Sequence, residues 1–370
     1  MKGIKLVPSL FLFAAVVCAS GCRQPCERLS DTVISALEVN RLREPSNVRR
    51  PVFSWKMLSS RHGAGQKSYR ILLREASSGS VVWDTGFVES DESVGIAYSG
   101  PKLKSAFKYS WEVSVLDEQG VMARAVSRFA TGLLSQSDWE CSKWIGVAGF
   151  SGVPTPALKK QEKSVPGTCC FAKEIDPGDG IVEAMWTVTA LGGFEAYING
   201  VRVGEDFLKP GFTNVLKTRH AFTYDVTELI SRKGRTVISA EVSSGWWRDK
   251  ITGYRGRNSA FRSLLVVRYA DGTEKRFGTD ESWLGAVGGK VLSASIFEGE
   301  VFDARKSDAW KLSPAGADEF KPVTVVDEFK GSIIPMEGPP VTARFDLSLR
   351  SVSAYVWKDV RCADKDSYGK

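Results

Sequence analysis

The stretch Ala190–Ile230 constrains the fold more than any other part of this chain. Phe194, Ala196 and Ile198 share one face of a strand, and Glu195 and Tyr197 share the other. Asn199-Gly200 then offers the two left-handed residues of a tight type I′ turn, and Val201 and Val203 carry the return strand. An alternating strand, an Asn-Gly turn and a second strand cannot settle as a helix, so this region is a β-hairpin. A turn role for Asn199 is the plain reading, because few Asn-Gly turns bind anything.

The same period-two logic extends in both directions. From Val33 to about Leu133, Tyr109, Trp111, Val113 and Val115 form one inward set, Tyr69, Ile71 and Leu73 a second, and Phe53 with Trp55 a third. Gln119-Gly120 and the Ser77–Ser80 cluster are turn signals, and no helical period competes. Short strands so spaced predict an immunoglobulin-like or fibronectin type III-like sandwich over 33–133. Residues 134–167 read as a connection, anchored by Trp139, Trp144 and Ile145 and then rich in Gly, Pro, Ser and Lys. A second sandwich is expected over 168–335. There Val182, Ala184 and Trp186 alternate inward before the hairpin, and Ile238, Ala240 and Val242 after it. Asp225 or Thr227 can cap a short helical turn through Glu228-Leu229-Ile230. Leu264–Val267 is an unbroken apolar run, so that strand is expected to be covered on both faces, and Asp271-Gly272 turns it into the next. Residues 336–370 read as the start of a further β-domain, with strands expected at Val341–Leu349 and Ser351–Val360.

Lys2 and Lys5 precede an apolar run, Leu6 to Val17, followed by Ala19-Ser20-Gly21 before Cys22. This is the layout of an export signal over 1–21. Small residues before a cysteine resemble a bacterial lipoprotein signal, with Cys22 as the lipidated residue, although Ala19 stands where such signals usually carry Leu. The run is too short to span a membrane, so attachment is expected only through the lipid, at the periplasmic side or the cell surface. With Cys18 inside the signal and Cys22 at the lipid site, five cysteines remain, Cys26, Cys141, Cys169, Cys170 and Cys362, an odd number, and no C-x-x-C pair offers a structural zinc site. Adjacent Cys169 and Cys170 point to opposite faces of a strand, so one of them can be buried and inert. The net charge of +7 comes from scattered residues without basic runs interleaved with aromatics, which leaves nucleic-acid binding unsupported. No phosphate-binding or dinucleotide fingerprint follows any strand.

These pieces together resemble the N-terminal, non-catalytic part of bacterial α-L-rhamnosidases of glycoside hydrolase family 78. Gln66–Ile71, Val82–Gly86 and Tyr109–Val113 are similar to that family's fibronectin-like domain. Ala190–Gly200, Val203-Gly204, Pro210–Thr213, Tyr224–Thr227, Gly245–Trp247, Glu298–Arg305, Trp310 and Gly338–Pro340 are similar, in order, to its jelly-roll N-terminal domain. The resemblance implies an all-β chain: a fibronectin type III-like sandwich followed by a jelly-roll (galactose-binding-like) β-sandwich. It also implies an exported enzyme that hydrolyses terminal α-L-rhamnose from glycans or glycosides with inversion. Inversion needs an acid and a base about 6.5–9.5 Å apart across the scissile bond. The family carries these on a helical (α/α)₆ domain, and its acidic Asp-Cys-Pro-like motif is absent here. No catalytic residue is therefore assigned, and this chain alone is expected to be inactive. Its expected partners are a rhamnose-containing glycan and a catalytic domain in the full-length protein or a neighbouring chain. The alternative is a stand-alone carbohydrate-binding, lectin-like lipoprotein.

Eleven tryptophans suit either reading, since tryptophan fills cores and also forms platforms for sugar rings. Trp246, Trp247, Asp249 and Tyr254, in one loop after a strand, combine aromatic surface with a carboxylate and form the candidate carbohydrate site. The plainer reading makes one tryptophan core and the rest loop surface. Glu298, Glu300 and Asp303 are close together, but a polar strand end bonding to Arg305 accounts for them. Calcium is the one metal the family's relatives suggest. Neither this acidic cluster nor Asp206 with nearby carbonyls has the ordered spacing of a calcium loop. His62 and His220 lie far from any nucleophile motif and read as surface residues.

Overall fold

The computed structural model describes residues 32–148, 167–230, 234–248, 258–296, 299–345, 347–348 and 350–351. These residues form strands and short 3₁₀ turns, with no α-helix among them and no helix long and apolar enough to cross a membrane. The expected signal segment and Cys22 lie outside the described residues.

The first sandwich packs two sheets. One contains Thr32–Val39, Val52–Ser59 and Ile96–Ala97; the other contains Val81–Asp84, Gln66–Glu75, Lys108–Asp117 and Met122–Ala130, with Val88–Glu89 paired to Gln66–Glu75. Strand alternation dictates what meets between them. Phe53, Trp55, Ile71, Leu73, Tyr109, Trp111, Val113 and Val115 are all buried in one cluster. Trp111 tilts against Phe53 with centroids 4.8 Å apart, and burying such a side chain contributes roughly 3 kcal/mol.

The second sandwich is larger. Its six-stranded sheet runs Val201–Arg202, Gly193–Ile198, Thr236–Ser243, Cys169–Ile175, Leu284–Val287 and Lys321–Pro322. The facing seven-stranded sheet runs Thr324–Val325, Ile145–Gly146, Ala260–Tyr269, Ile181–Leu191, Thr218–Asp225 and Ser332–Pro335, with Glu274–Gly278 paired to Ala260–Tyr269. Phe171, Trp186, Phe261 and Trp283 fill the space between them.

The Asn-Gly hairpin forms as expected: Asn199 and Gly200 have φ of 49° and 76°, and Ile198 pairs with Val201. Asn199 does more than turn the chain. Its Oδ1 accepts from the Val237 amide at 2.9 Å, and its Nδ2 donates to the Leu229 carbonyl at 3.1 Å, tying the hairpin to the next strand and to the turn after Asp225.

Three expectations need correction. Val182 is exposed, because a bulge between Ile181 and Glu183 breaks the alternation. Beyond it Ala184, Met185 and Trp186 are buried on both faces. Residues 134–148 are no loose connection, since Ile145 pairs with Phe261, and Trp139 and Trp144 cover the outer face of the seven-stranded sheet beside Met185, Leu264 and Val266. Leu264–Val267 is covered on both faces accordingly. Of Val341–Leu349, only Val341–Thr342 is strand among the described residues, paired with Asp206–Phe207.

The two sandwiches are pinned together. Arg268 donates to the carbonyls of Ala106 (2.7 Å) and Ser105 (3.3 Å) in the first sandwich while pairing with buried Glu183 in the second. The Thr223 amide donates to Asn47 Oδ1 at 2.8 Å, and Lys108 Nζ meets Asp225 Oδ2 at 2.8 Å. Burial alone would raise the Asp225 carboxyl, but the bonds from Lys108 and Thr227 outweigh it and hold its pKa below the usual range.

Two predictions follow from these contacts. Asn199→Ala should lower stability by about 2–4 kcal/mol, since it strands the Val237 amide and puts alanine, which tolerates the left-handed region less well than asparagine, at a φ of 49°; Asn199→Gly should cost less. Urea denaturation measures both, and an unchanged midpoint for the alanine variant would refute the clamp. The Asp225 contribution is present above the unfolded carboxylate pKa and fades as pH falls through the lower folded value. Acid unfolding should therefore depend less on pH in Asp225→Asn than in the parent below the ordinary aspartate range; superimposable acid-unfolding curves would count against the pair.

Candidate functional site

The loops at one end of the second sandwich hold most of the sequence features singled out above. Strand Thr236–Ser243 runs into a turn in which the Trp247 and Arg248 amides donate to the Ser244 carbonyl. This turn presses against Gly192-Gly193. A β-carbon on Gly192 would stand 2.1 Å from the Ser243 carbonyl oxygen, and one on Gly245 would stand 2.2 Å from the Gly193 nitrogen. Only glycine allows the two backbones to interlock so closely.

Trp247 is 1% exposed, donates its indole N–H to the Asn258 carbonyl at 2.9 Å, and has the Arg219 guanidinium 4.7 Å over its ring. Trp246 is partly buried against the same cluster. Trp247 is thus a core residue here. Asp249 and Tyr254 lie outside the described residues, as does Glu298. Glu300 is exposed, and Asp303 is held at a pKa of about 2 by the side-chain and backbone bonds from Arg305. His62 is exposed. His220, expected at the surface, is half-buried on strand Thr218–Asp225, and burial lowers its imidazole pKa. Cys169 and Cys170 do face opposite ways, yet both are buried, because the Asp308–Phe320 segment covers the outer face of their sheet. Burial pushes the Cys169 thiol up to about 12 and Cys170 well above its ordinary value, so both are poor nucleophiles. Among the described residues no group of three or more His, Cys, Asp or Glu is arranged to hold a metal.

A cluster not anticipated from the sequence sits beside the glycine interlock. Lys209 is 1% exposed, with Nζ 3.2 Å from Glu195 Oε2 and 3.8 Å from Asp206 Oδ1. Its ammonium also lies 5.3 Å from the Phe194 ring centroid and 5.7 Å from that of Tyr224. Arg202 Nε meets Glu195 Oε2 at 2.7 Å, and Nη1 donates to the Gly204 carbonyl at 2.7 Å. Tyr224 donates to Asp206 Oδ2 at 2.8 Å; burial, with the Asp206 charge beside it, keeps its phenol well above the usual pKa. A buried ammonium needs such partners, because the cost of leaving it unpaired far exceeds the value of any one contact.

The cluster fixes the loop from Val203 to Thr213 against the hairpin. That rigid loop presents Phe207, Leu208 and Phe212 to solvent, and Val341 on the strand paired to it is also exposed. Phe212 is 67% exposed, and Phe345 farther along the same tail is 81% exposed. Exposed apolar side chains gathered on one anchored loop form a candidate contact surface. One signal was visible in the sequence: Glu205, Asp206 and Lys209 are packed among the apolar residues of GEDFLKPGF.

Comparison with known proteins agrees with this architecture. Residues 34–135 match the family described as the Rha78A-like, N-terminal immunoglobulin domain, and residues 179–344 match the alpha-L-rhamnosidase N-terminal domain. The chain matches the N-terminal, non-catalytic domains of α-L-rhamnosidases. Two proteins of Formosa agariphila, each named alpha-L-rhamnosidase, are similar at 28% identity over 82% of this chain and at 30% over 69% of it. These alignments take in only 34% and 28% of the relatives' own lengths. Among solved structures, an alpha-L-rhamnosidase from Dictyoglumus thermophilum superposes at a TM-score of 0.73 with 26% identity, covering 85% of this chain and 36% of that one. One from Aspergillus terreus superposes at 0.73 with 25% identity, covering 84% and 36%.

Replacing Lys209 with methionine should destabilise the second sandwich by about 3–5 kcal/mol, because it leaves buried Asp206 without its cation and Glu195 with Arg202 alone. A calorimetric melt of the variant within a degree of the parent would show that the network is not structural.

Proposed function

We propose that this chain is the accessory β-sandwich portion of an enzyme that hydrolyses terminal α-L-rhamnose from glycans or glycosides. In this reading it braces a catalytic portion and performs no hydrolysis itself. The observation that carries the bracing role is the apolar rim of Phe207, Leu208 and Phe212 on a loop anchored by buried Lys209. A free-standing surface has no reason to hold exposed aromatics rigidly in place, whereas a docking face does. The chemistry is consistent. Inverting hydrolysis needs one protonated and one ionised carboxyl facing each other across the sugar. The close carboxylates described above are instead occupied by cations, Glu195 by Arg202 and Lys209, and Asp303 by Arg305. The substrate and the catalytic partner follow from the rhamnosidase names of the relatives and are part of the proposal. So is location: residues 1–21 would direct export and Cys22 would carry the lipid.

Purified chain should release no nitrophenol from nitrophenyl α-L-rhamnoside. Joined to, or mixed with, a helical domain encoded downstream in the same gene or beside it, the rhamnosidase activity should appear. Phe207→Asp with Phe212→Asp should then weaken that activity and the association together. Turnover by the pure chain, or association unaffected by the double variant, would overturn this reading.

A further inference from the structure

A second feature lies on the outer face of the six-stranded sheet. There the segment after Asp303 folds back through two 3₁₀ turns, Ala309–Lys311 and Pro314–Gly316, and covers Cys170, Ala172 and Val237. Trp310 is the centre of this cover. It is 4% exposed and stacks on Phe320 with centroids 5.3 Å apart and planes 28° apart. Its neighbour Lys311 is equally fixed. Lys311 Nζ lies 3.1 Å from Glu241 Oε2 and 3.8 Å from the Tyr197 ring centroid, and Tyr197 donates to the same Glu241 oxygen at 3.0 Å.

Beside Trp310 opens a cleft of about 390 Å³, bordered by Gly288, Gly289, Lys306, Asp318 and Phe320. Two observations mark it as more than a packing gap. The first is that the indole N–H of Trp310 is buried and has no hydrogen-bond partner. Trp111 and Trp186 also carry unpaired N–H groups, but those rings lie within the two sandwich cores, whereas Trp310 borders an opening. The second is Gly289. A β-carbon there would lie 3.0 Å from Glu241 Oε1, 3.1 Å from Cys170 Sγ and 3.7 Å from Trp310 Nε1. The absence of a side chain there lets the backbone close on Glu241 and Cys170 beside the indole nitrogen, and Gly289 and Trp310 border the cleft together.

The chemistry of the border selects the ligand class. Lys306 is already engaged, donating to the Gly288 carbonyl at 2.6 Å and lying 3.8 Å from Glu319, so it does not offer a bare cation to an anion. Asp318 and Glu319 repel an anion further, and the unpaired indole donor disfavours a cation. A neutral polyol fits: its hydroxyls accept from Trp310 and Lys306 and donate to Asp318, while its C–H face rests on Phe320 and Ala317. The volume matches one or two sugar rings and falls in the range of small-molecule sites, about 300–1,000 Å³.

We propose that this cleft binds a pyranose unit of a neutral glycan. The assignment does not depend on a role in hydrolysis, and it uses none of the residues of the Trp246–Tyr254 loop.

The test is nitrogen-15 NMR of the indole N–H signals of the whole chain, with Trp310→Phe assigning the Trp310 resonance. Methyl α-L-rhamnopyranoside, methyl β-D-galactopyranoside and methyl α-D-glucopyranoside are titrated in turn. The Trp310 signal should move saturably with at least one of them, and Asp318→Ala combined with Lys306→Ala should weaken that binding roughly tenfold or more. Both substitutions are at partly or fully exposed positions, so the fold should be retained, and the other indole signals of the variant verify this. A Trp310 signal that moves with none of the three glycosides overturns the proposal. So does a response that survives the double substitution, or one confined to other tryptophans.

Discussion

The arrangement of this molecule depends on a sheet that cannot leave either face in water. Strands Ile181–Leu191 and Ala260–Tyr269 carry apolar side chains on both sides, with Trp186 and Leu265 facing one core and Met185, Leu264 and Val266 facing the other. The inner face is covered by the six-stranded sheet. The outer face needs a second cover, and the chain supplies it from distant places: Trp139 and Trp144 from the segment between the sandwiches, Phe329 and Ile333 from near the end of the described chain, and Ala106 and Ala130 from the first sandwich. Burial of that face is therefore what joins the two sandwiches, and the polar contacts of Arg268 and Asn47 set their register rather than their affinity.

That cover has consequences at the loop end of the second sandwich. Because the outer face is occupied, the strand ends emerge at one rim, where Gly192-Gly193 and Gly245 interlock and the 203–213 loop is held by Lys209, Glu195, Asp206 and Arg202. The buried ammonium is expensive to place and adds little net stability. Its effect is specificity of shape, since only one loop position satisfies all of its partners. An apolar rim and a glycine-floored cleft in the same domain are two products of one scaffold. The first is built by charge inside and apolar surface outside, the second by an aromatic cover that stops short of the sheet.

Much of this was legible in the residues. Period-two patterning found the inward sets of both sandwiches, because an antiparallel strand with one wet face has to alternate. The Asn199-Gly200 turn was legible because its geometry admits so few residues. The ordered series of short motifs pointed to the family. Most of the places where the reading departed from the structure share one cause. Val182 is turned outward by a local bulge, whereas the 134–148 segment, His220 and the second buried cysteine concern what lies against a strand from elsewhere in the chain. Alternation tells which side chains share a face but not whether a distant segment covers the outer one. Trp247 is the same case, with a ring enclosed by Arg219 and the Asn258 carbonyl rather than presented as a platform.

The sequence by itself determined the class of fold, the hairpin, the order of the two sandwiches and the expectation that no helical catalytic body is built from these residues. Those properties depend on local period and turn chemistry, which neighbouring residues set among themselves. Only the tertiary structure decided which tryptophans are core and which border an opening, which charges are buried, and where apolar side chains remain uncovered. Lys209 shows why. Nothing in its immediate neighbours states that Glu195, fourteen positions away, will stand 3.2 Å from its ammonium, or that the Phe194 and Tyr224 rings will close over it. Burial and pairing are properties of surfaces brought together by the whole chain.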